Sequence, residues 1–356
     1  MDMRHLPGLD REVSAIGAGC WTIGGAATNR GVPIGWTGVD QGHAFEGLVR
    51  AFELGVTLFD TADVYGMGHS ERLVGQLLEQ VDRRTVVVSS KVGYFAGTAA
   101  HPYQRRQILR QFETTTENLG TGYLDLYFLH SGDFGPGDQY LDEAVETVRG
   151  LRTAGLVHAV GMRAPNEFAA QWAVEPDAHQ GPKAARFLDL FERIRPDVLT
   201  VRHNLLSPLY RPEETDVFAF ARRHGVGVLL KQVLGQGLLV NAHHPASPPV
   251  FPSEDHRHAD PRFSGTALRT LHHALGVLAA HFGEDRRGLL RLALQYALQA
   301  DADAIALLGF RDAEQITGSI SALGRPLTPL DLGEIQRLMQ PVRDMLAQTP
   351  YRTPER

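Results

Sequence analysis

The chain is poor in several things, and each absence excludes something. Cys20 is the one cysteine in 356 residues, so no disulfide can form within the chain, which suits a reducing compartment. No uninterrupted apolar run reaches the ~18 residues of a membrane helix, so no membrane partner is expected. Met1–Asp10 is charged and lacks the apolar core of a secretory signal, which points to the cytoplasm. Basic side chains number 35 and acidic ones 41, a net charge of −6 with neither sign in a long block. Arg83-Arg84, just ahead of an apolar run, reads as a loop, so no nucleic acid is expected as a partner. No GxGxxG follows any apolar run, which excludes a Gly-rich dinucleotide loop. There is also no repeat beyond one alternating unit and no linker, so residues 1–356 read as one domain.

That alternating unit is what the chain does contain. Eight short apolar runs recur: Ser14–Gly19, Val56–Asp60, Thr85–Lys91, Leu124–His130, Val157–Met162, Asp197–Arg202, Val226–Lys231 and Ala304–Leu308. Each is apolar nearly throughout, as a parallel strand covered on both faces must be. Apolar spacings of three and four mark helices between them at Ala44–Leu54, Glu71–Gln80, Arg105–Leu119, Leu141–Thr153 and Glu213–His224. Strand alternating with helix eight times predicts an α/β fold, a (β/α)8 TIM barrel over about residues 14–325 with long βα loops. Beyond the barrel, Thr328 as N-cap, Pro329 and Asp331 predict a C-terminal helix over 329–346, followed by a frayed tail from Thr349. Glu175–Lys183 reads as a polar loop insertion. Val240–Phe263, rich in proline and histidine and without periodicity, reads as a lid or binding loop. With Gly132–Gln139, these loops are expected to set specificity.

Barrel enzymes place their chemistry at the C-terminal ends of strands. Here the second run ends at Asp60, the third at Lys91 and the fourth at His130, with Tyr65 one turn beyond the first of these. A tyrosine hydroxyl, with a pKa near ~10, is a weak acid at neutral pH. A lysine beside it stabilises the phenolate, a carboxylate keeps the lysine charged, and a histidine can bond or relay a proton to a carbonyl oxygen. Such a set suits protonation of an oxygen as hydride reaches its carbon.

Four motifs, in order, resemble those of the aldo-keto reductases: Gly17–Trp21, Gly55–Gly66 with Ser70–Gly75, Ser89–Lys91, and Asp125–His130. The resemblance implies Asp60, Tyr65, Lys91 and His130 as catalytic residues, Tyr65 being the general acid, and NADPH as cofactor with a small carbonyl compound as substrate. It implies an extended cofactor site, for which Gly19, Trp21, Asn204, Gln232, Gly235, Gly237 and Leu238 are candidates, followed by Gly309, Arg311, Gln315 and Ser319. The glycines would let backbone N–H groups approach phosphates, and the Arg311 fork suits a 2′-phosphate. Trp21, Trp36 and Tyr94 are candidate substrate contacts.

Several positions depart from the family. Arg163-Ala164 stands where Ser-Asn is usual, Thr200 in place of a glutamine, Lys231 in place of the aromatic that stacks on nicotinamide, and Ser319 in place of an asparagine. The expected function is NADPH-dependent reduction of a carbonyl, with Arg163 and Lys231 pointing to an anionic substrate or an altered cofactor pose. These departures also leave room for an isomerase or lyase that keeps NADP(H) without net redox, or a non-catalytic NADPH-sensing subunit. No metal is expected, although His243-His244 and Asp255–His258 are rich in histidine. Oligomeric state and substrate identity are not legible in the sequence.

Overall fold

In the computed structural model, residues 1–347 are described except Pro176, Asp177, His179 and Glu284. Eight parallel strands close into a barrel: Ile16–Gly19, Leu58–Asp60, Val87–Val92, Leu124–Leu129, Val157–Arg163, Val198–Arg202, Gly227–Lys231 and Ile305–Gly309. They follow one another around the ring in chain order, and the eighth pairs with the first through Ala306 and Ile16. Each expected run overlaps its strand, but several observed strands start later and three, ending at Val92, Arg163 and Gly309, run one residue further. Thr57 lies outside because its Oγ1 accepts from the Ser14 N–H, and Thr85 sits in a tight turn capped by Asp82.

The expected helices appear as Gln41–Glu53, His69–Leu78, Arg105–Leu119, Leu141–Thr153 and Val217–His224. Their apolar faces pack on the barrel in one extended core. Four further helices, Gly181–Ile194, Gly265–Phe282, Arg286–Leu298 and Ala313–Ser321, are described around the barrel. The first of them begins inside the stretch expected to be a polar loop; part of that stretch lies outside the described residues. The C-terminal helix runs Pro329–Ala347, opened by a reciprocal cap in which Thr328 N–H reaches Asp331 and Asp331 N–H reaches Thr328 Oγ1. It packs with Gly265–Phe282 and Arg286–Leu298 around a second apolar cluster containing Leu275, Leu292 and Met339. The tail from Thr349 lies outside the described residues.

The bottom of the barrel is closed by a hairpin that periodicity did not reveal, Met3–Leu6 paired with Arg11–Ser14. Its Leu6 and Val13 join Leu58, Leu126 and Leu229 inside the barrel floor. With the floor plugged, chemistry is confined to the other rim.

Candidate active site

Parallel strands in a closed barrel end on one rim, so the residues that terminate them meet. Asp60 ends the second strand, Lys91 lies one residue before the end of the third, and His130 follows the fourth directly. Lys91 Nζ sits 2.9 Å from both Asp60 carboxylate oxygens and also donates to the Thr61 carbonyl. Ser89 Oγ donates to the same carboxylate. Asp60 and Lys91 are each only 4% exposed, and an ion pair this deep persists because these extra bonds satisfy what burial removes from water.

Tyr65 closes the turn after the second strand. Lys91 Nζ lies beneath its ring, 4.7 Å from the centroid. The turn requires Gly66: its φ is +63°, and a Cβ there would lie 1.6 Å from the Gly24 carbonyl oxygen. The following Ser70–Gly75 motif is structural. Ser70 Oγ donates to the Cys20 carbonyl, and the buried Glu71 carboxylate accepts from Ser90, Thr115 and Asn118. His130 stands edge-on to Tyr65 at 6.1 Å and to Tyr94 at 4.6 Å between centroids.

The electrostatics sort these groups. Burial pushes Tyr65 up to about 12 against the pull of Lys91, so the phenol is protonated at neutral pH. For Lys91, burial works against the charge, but Asp60 and the Tyr65 hydroxyl outweigh it and raise its pKa. Burial, with Lys91, Arg163 and Lys231 adding to it, holds His130 well below the ordinary histidine value, and its buried Nδ1 has no hydrogen-bond partner among the described residues. The site therefore holds a neutral phenol, a fixed cation and a neutral imidazole.

All four groups lie at one end of a cleft of about 1730 Å³, lined there by Asp60, Tyr65, His130, Tyr94, Arg163 and Lys231. Lys91 sits just beneath. Arg163 Nη1 donates to the Tyr94 hydroxyl at 2.7 Å, and Lys231 ends the seventh strand opposite Arg202 of the sixth. Thr200 is buried and its carbonyl accepts from Ala164 N–H. From this end the cleft runs past Gly19, Trp21 and Gln232 to Gly237, Gly309, Arg311, Gln315 and Ser319, all of which line it. Gln232, Gly235, Gln236 and Gly237 all have positive φ, which coils the segment after the seventh strand along the cleft. Gln236 leaves a buried Oε1 without a hydrogen-bond partner among the described residues. Arg311 precedes helix Ala313–Ser321, capped by Asp312 through Gln315 N–H.

Two expected cofactor positions do not face the cleft. Asn204 is buried with its carboxamide committed to backbone, donating to the Gln232 carbonyl and accepting from Leu206 N–H, so it positions the loop that does line it. Leu238 turns into the second apolar cluster. Gly235 contributes its turn but is not among the lining residues. Nor is any residue of Gly132–Gln139, although that loop was expected to shape specificity.

The roof instead comes from two loops. Residues 29–36 contribute Asn29, Arg30, Ile34 and Trp36; Val240–Phe263 contributes Ala242, His243, His256 and Arg257. The latter loop lacks regular structure apart from the short turn Pro261–Phe263, yet it is firmly tied. Asp255 accepts from Thr37 N–H and Oγ1 and forms a buried two-pronged pair with Arg257. Arg257 lies between the Trp36 and Phe251 rings, at 4.1 and 4.0 Å from their centroids. His256 packs against Trp21 and Trp36 at 4.4 and 4.6 Å. The Asp-His-Arg-His run was the available signal, and its role is this tether. Among the described residues no three His, Cys, Asp or Glu side chains converge as a metal site.

A closed eight-stranded barrel with a buried Asp–Lys pair under a tyrosine and a histidine at its C-terminal rim defines a class of barrel oxidoreductases. The model of the aldo/keto reductase family matches residues 15–340, and the chain belongs to that family. Aldo-keto reductase YhdN of Bacillus subtilis (strain 168) is 26% identical over 347 residues, covering 96% of this chain and 94% of that protein. The structure of the glycerol dehydrogenase AKR11B4 from Gluconobacter oxydans superposes with a TM-score of 0.72 at 24% identity, over 96% of this chain and 95% of that one. An aldo-keto reductase from Klebsiella pneumoniae, solved in complex with NADPH, gives 0.60 at 22% identity over 95% of each chain.

Proposed function

We propose that the protein reduces the carbonyl of a small aldehyde or ketone to an alcohol with NADPH, with Tyr65 as proton donor. The observation that carries this reading is the meeting of Tyr65, Lys91, Asp60 and His130 at one end of a single long cleft. The cleft residues fit the cofactor. Beyond the tyrosine the left-handed turns of Gln232–Gly237 and the unpartnered Gln236 Oε1 border the path of a dinucleotide, and Arg311 stands at its far end for a 2′-phosphate. The Klebsiella relative, by its description, binds NADPH.

When bound, the cofactor supplies hydride to the carbonyl carbon. The chain's own residues manage the oxygen. Tyr65, protonated at neutral pH, donates its proton as negative charge gathers on that oxygen. Lys91, held charged by Asp60, offsets the phenolate left behind, which lowers the cost of a transfer that burial alone would oppose. His130 is neutral, so it orients the carbonyl by a hydrogen bond and does not act as a cationic acid. Trp21, Trp36 and Tyr94 wall the substrate end. Arg163 and Lys231, at that same end, support an anionic substrate bearing a carboxylate or phosphate.

The changed residues at the fifth to seventh strand ends favour one further reading, in which bound NADP(H) supports isomerisation or elimination without net redox. One assay separates them: NADPH absorbance followed in the presence of a carbonyl panel. Reduction consumes one NADPH per alcohol formed, and Tyr65→Phe lowers kcat by ~10²-fold or more while cofactor binding persists. Product formed without loss of NADPH absorbance would reject the reductase reading.

A further inference from the structure

His130 lies just beyond its strand, and a side chain from another part of the chain holds the backbone there. The pairing of the third and fourth strands stops at Val92 and Leu129, and one further bond runs from His130 N–H to the Val92 carbonyl. At the next position the third strand turns away, with Gly93 at φ +128°. Tyr103, in the turn before helix Arg105–Leu119, stands in for the departed strand. Its hydroxyl accepts from Ser131 N–H at 2.9 Å and donates to the Ser131 carbonyl at 2.7 Å. The same oxygen lies 3.4 Å from the Val92 carbonyl, the acceptor of the His130 bond. The side chain is fully buried and its ring stacks on Phe134 at 4.4 Å, so the hydroxyl is delivered from outside the barrel with little freedom. Glycine at position 93 permits the approach, because a Cβ there would lie 2.2 Å from the Tyr103 hydroxyl oxygen.

The His130 ring is aimed largely by its backbone. Its buried Nδ1 has no hydrogen-bond partner among the described residues, and its contacts with Tyr65 and Tyr94 are edge-on. Such ring contacts limit tilt but do not fix the direction of a nitrogen as a hydrogen bond does. We propose that Tyr103 is a positioning residue for the reduction: by clamping Ser131 at the end of the third strand, it sets the direction from which His130 meets the carbonyl oxygen. This inference rests on the reductase reading. Tyr103 is not among the residues lining the cleft, so its effect passes through the backbone of residues 130 and 131. A misplacement of about 1 Å at a reacting group can cost ~10²-fold in rate, so a smaller drift of His130 should cost about tenfold.

The test is a double-mutant cycle in the full chain, Tyr103→Phe against His130→Ala, read as kcat with NADPH and the most rapidly reduced member of the carbonyl panel. Tyr103→Phe keeps the buried ring and removes the hydroxyl alone. It should lower kcat by about tenfold while the dissociation constant for NADPH stays unchanged. Once His130 is alanine, the same substitution should change kcat by under about twofold, because the group it positions is gone. Gly93→Ala attacks the contact from the other side by pushing the hydroxyl off Ser131, and it should show the same dependence on His130. That second variant keeps the idea open to refutation should Tyr103→Phe fail to fold. A residue that only stabilised the fold would lower kcat equally in both backgrounds. That outcome, or an unchanged kcat in both single variants, would overturn the proposal while leaving the reductase reading in place. A wild-type protein that consumes no NADPH with any carbonyl of the panel would overturn both.

Discussion

Strands two to four of the barrel bring Asp60, Lys91 and His130 to the rim beside Tyr65, whereas strands five to seven end in Arg163, Arg202 and Lys231, three half-buried cations. In the first group each member is held by another: the carboxylate fixes the ammonium, the ammonium lies over the tyrosine ring, and that ring stands beside the imidazole. Removing one leaves an uncompensated group out of reach of water. The second group borders open cleft and carries its charge on long side chains, so its chemistry can change without undoing the fold. The barrel rim thus separates an interlocked, buried half from a half that is open to the cleft and freer to change.

The comparison can be broken most forcefully at Lys91. Lys91→Met leaves Asp60 buried and unpaired, so turnover should be lost and unfolding free energy should fall by ~3–5 kcal/mol, read from urea denaturation. A variant as stable as the wild type would mean that the two halves are equally tolerant. Arg163→Gln should spare stability. We expect it to raise KM for a carboxylate-bearing aldehyde by about tenfold relative to a neutral aldehyde of similar size, as loss of one charge-assisted contact would. Equal effects on both substrates would remove the anionic substrate from the account.

The smallest effect concerns pH. Burial lowers His203 and His256 from 6.5 to about 4 in the folded protein. Below pH ~6.5 the unfolded chain takes up protons that these folded residues refuse, so stability falls with pH by up to ~1.4 kcal/mol per unit for each histidine. The melting temperature should therefore drop between pH 7 and pH 5, and less so in His203→Phe. His256 belongs to the roof, so replacing it should also loosen the loop over the cation-rich half; an unchanged pH profile in both variants would show that neither ring stays neutral on folding.

The strands and the meeting of Asp60, Tyr65, Lys91 and His130 at one rim were legible because the signals are local and buried. An apolar run ending in Asp, Lys or His is unusual, and three in succession place those residues on one rim. Arg163 and Lys231 were legible as strand-end cations for the same reason. What escaped is set by contacts distant in sequence. Asp255 reaches Thr37, more than 200 positions away, so a stretch without periodicity is held firmly by side chains that no local pattern connects. The hairpin Met3–Leu6 alternates charge with half-exposed residues, and only Leu6 and Val13 reveal its place in the floor. Helix Gly181–Ile194 begins with glycine and proline, which read as loop until Phe187, Leu190 and Phe191 are seen against the barrel.

That floor hairpin imposes an order of events on the newly made chain. Arg4 donates to the carbonyls of Leu298, Asp301 and Ala304, and Ile16 pairs with Ala306, so the earliest residues clasp the last strand of the ring. During synthesis residues 3–19 emerge first yet must wait for nearly 300 more before their partners exist. Seven strands can gather as an open, growing sheet, but its two edges meet only when the eighth has left the ribosome. Closure of the ring is therefore a late step, and Leu6 and Val13 find their cavity only when it occurs.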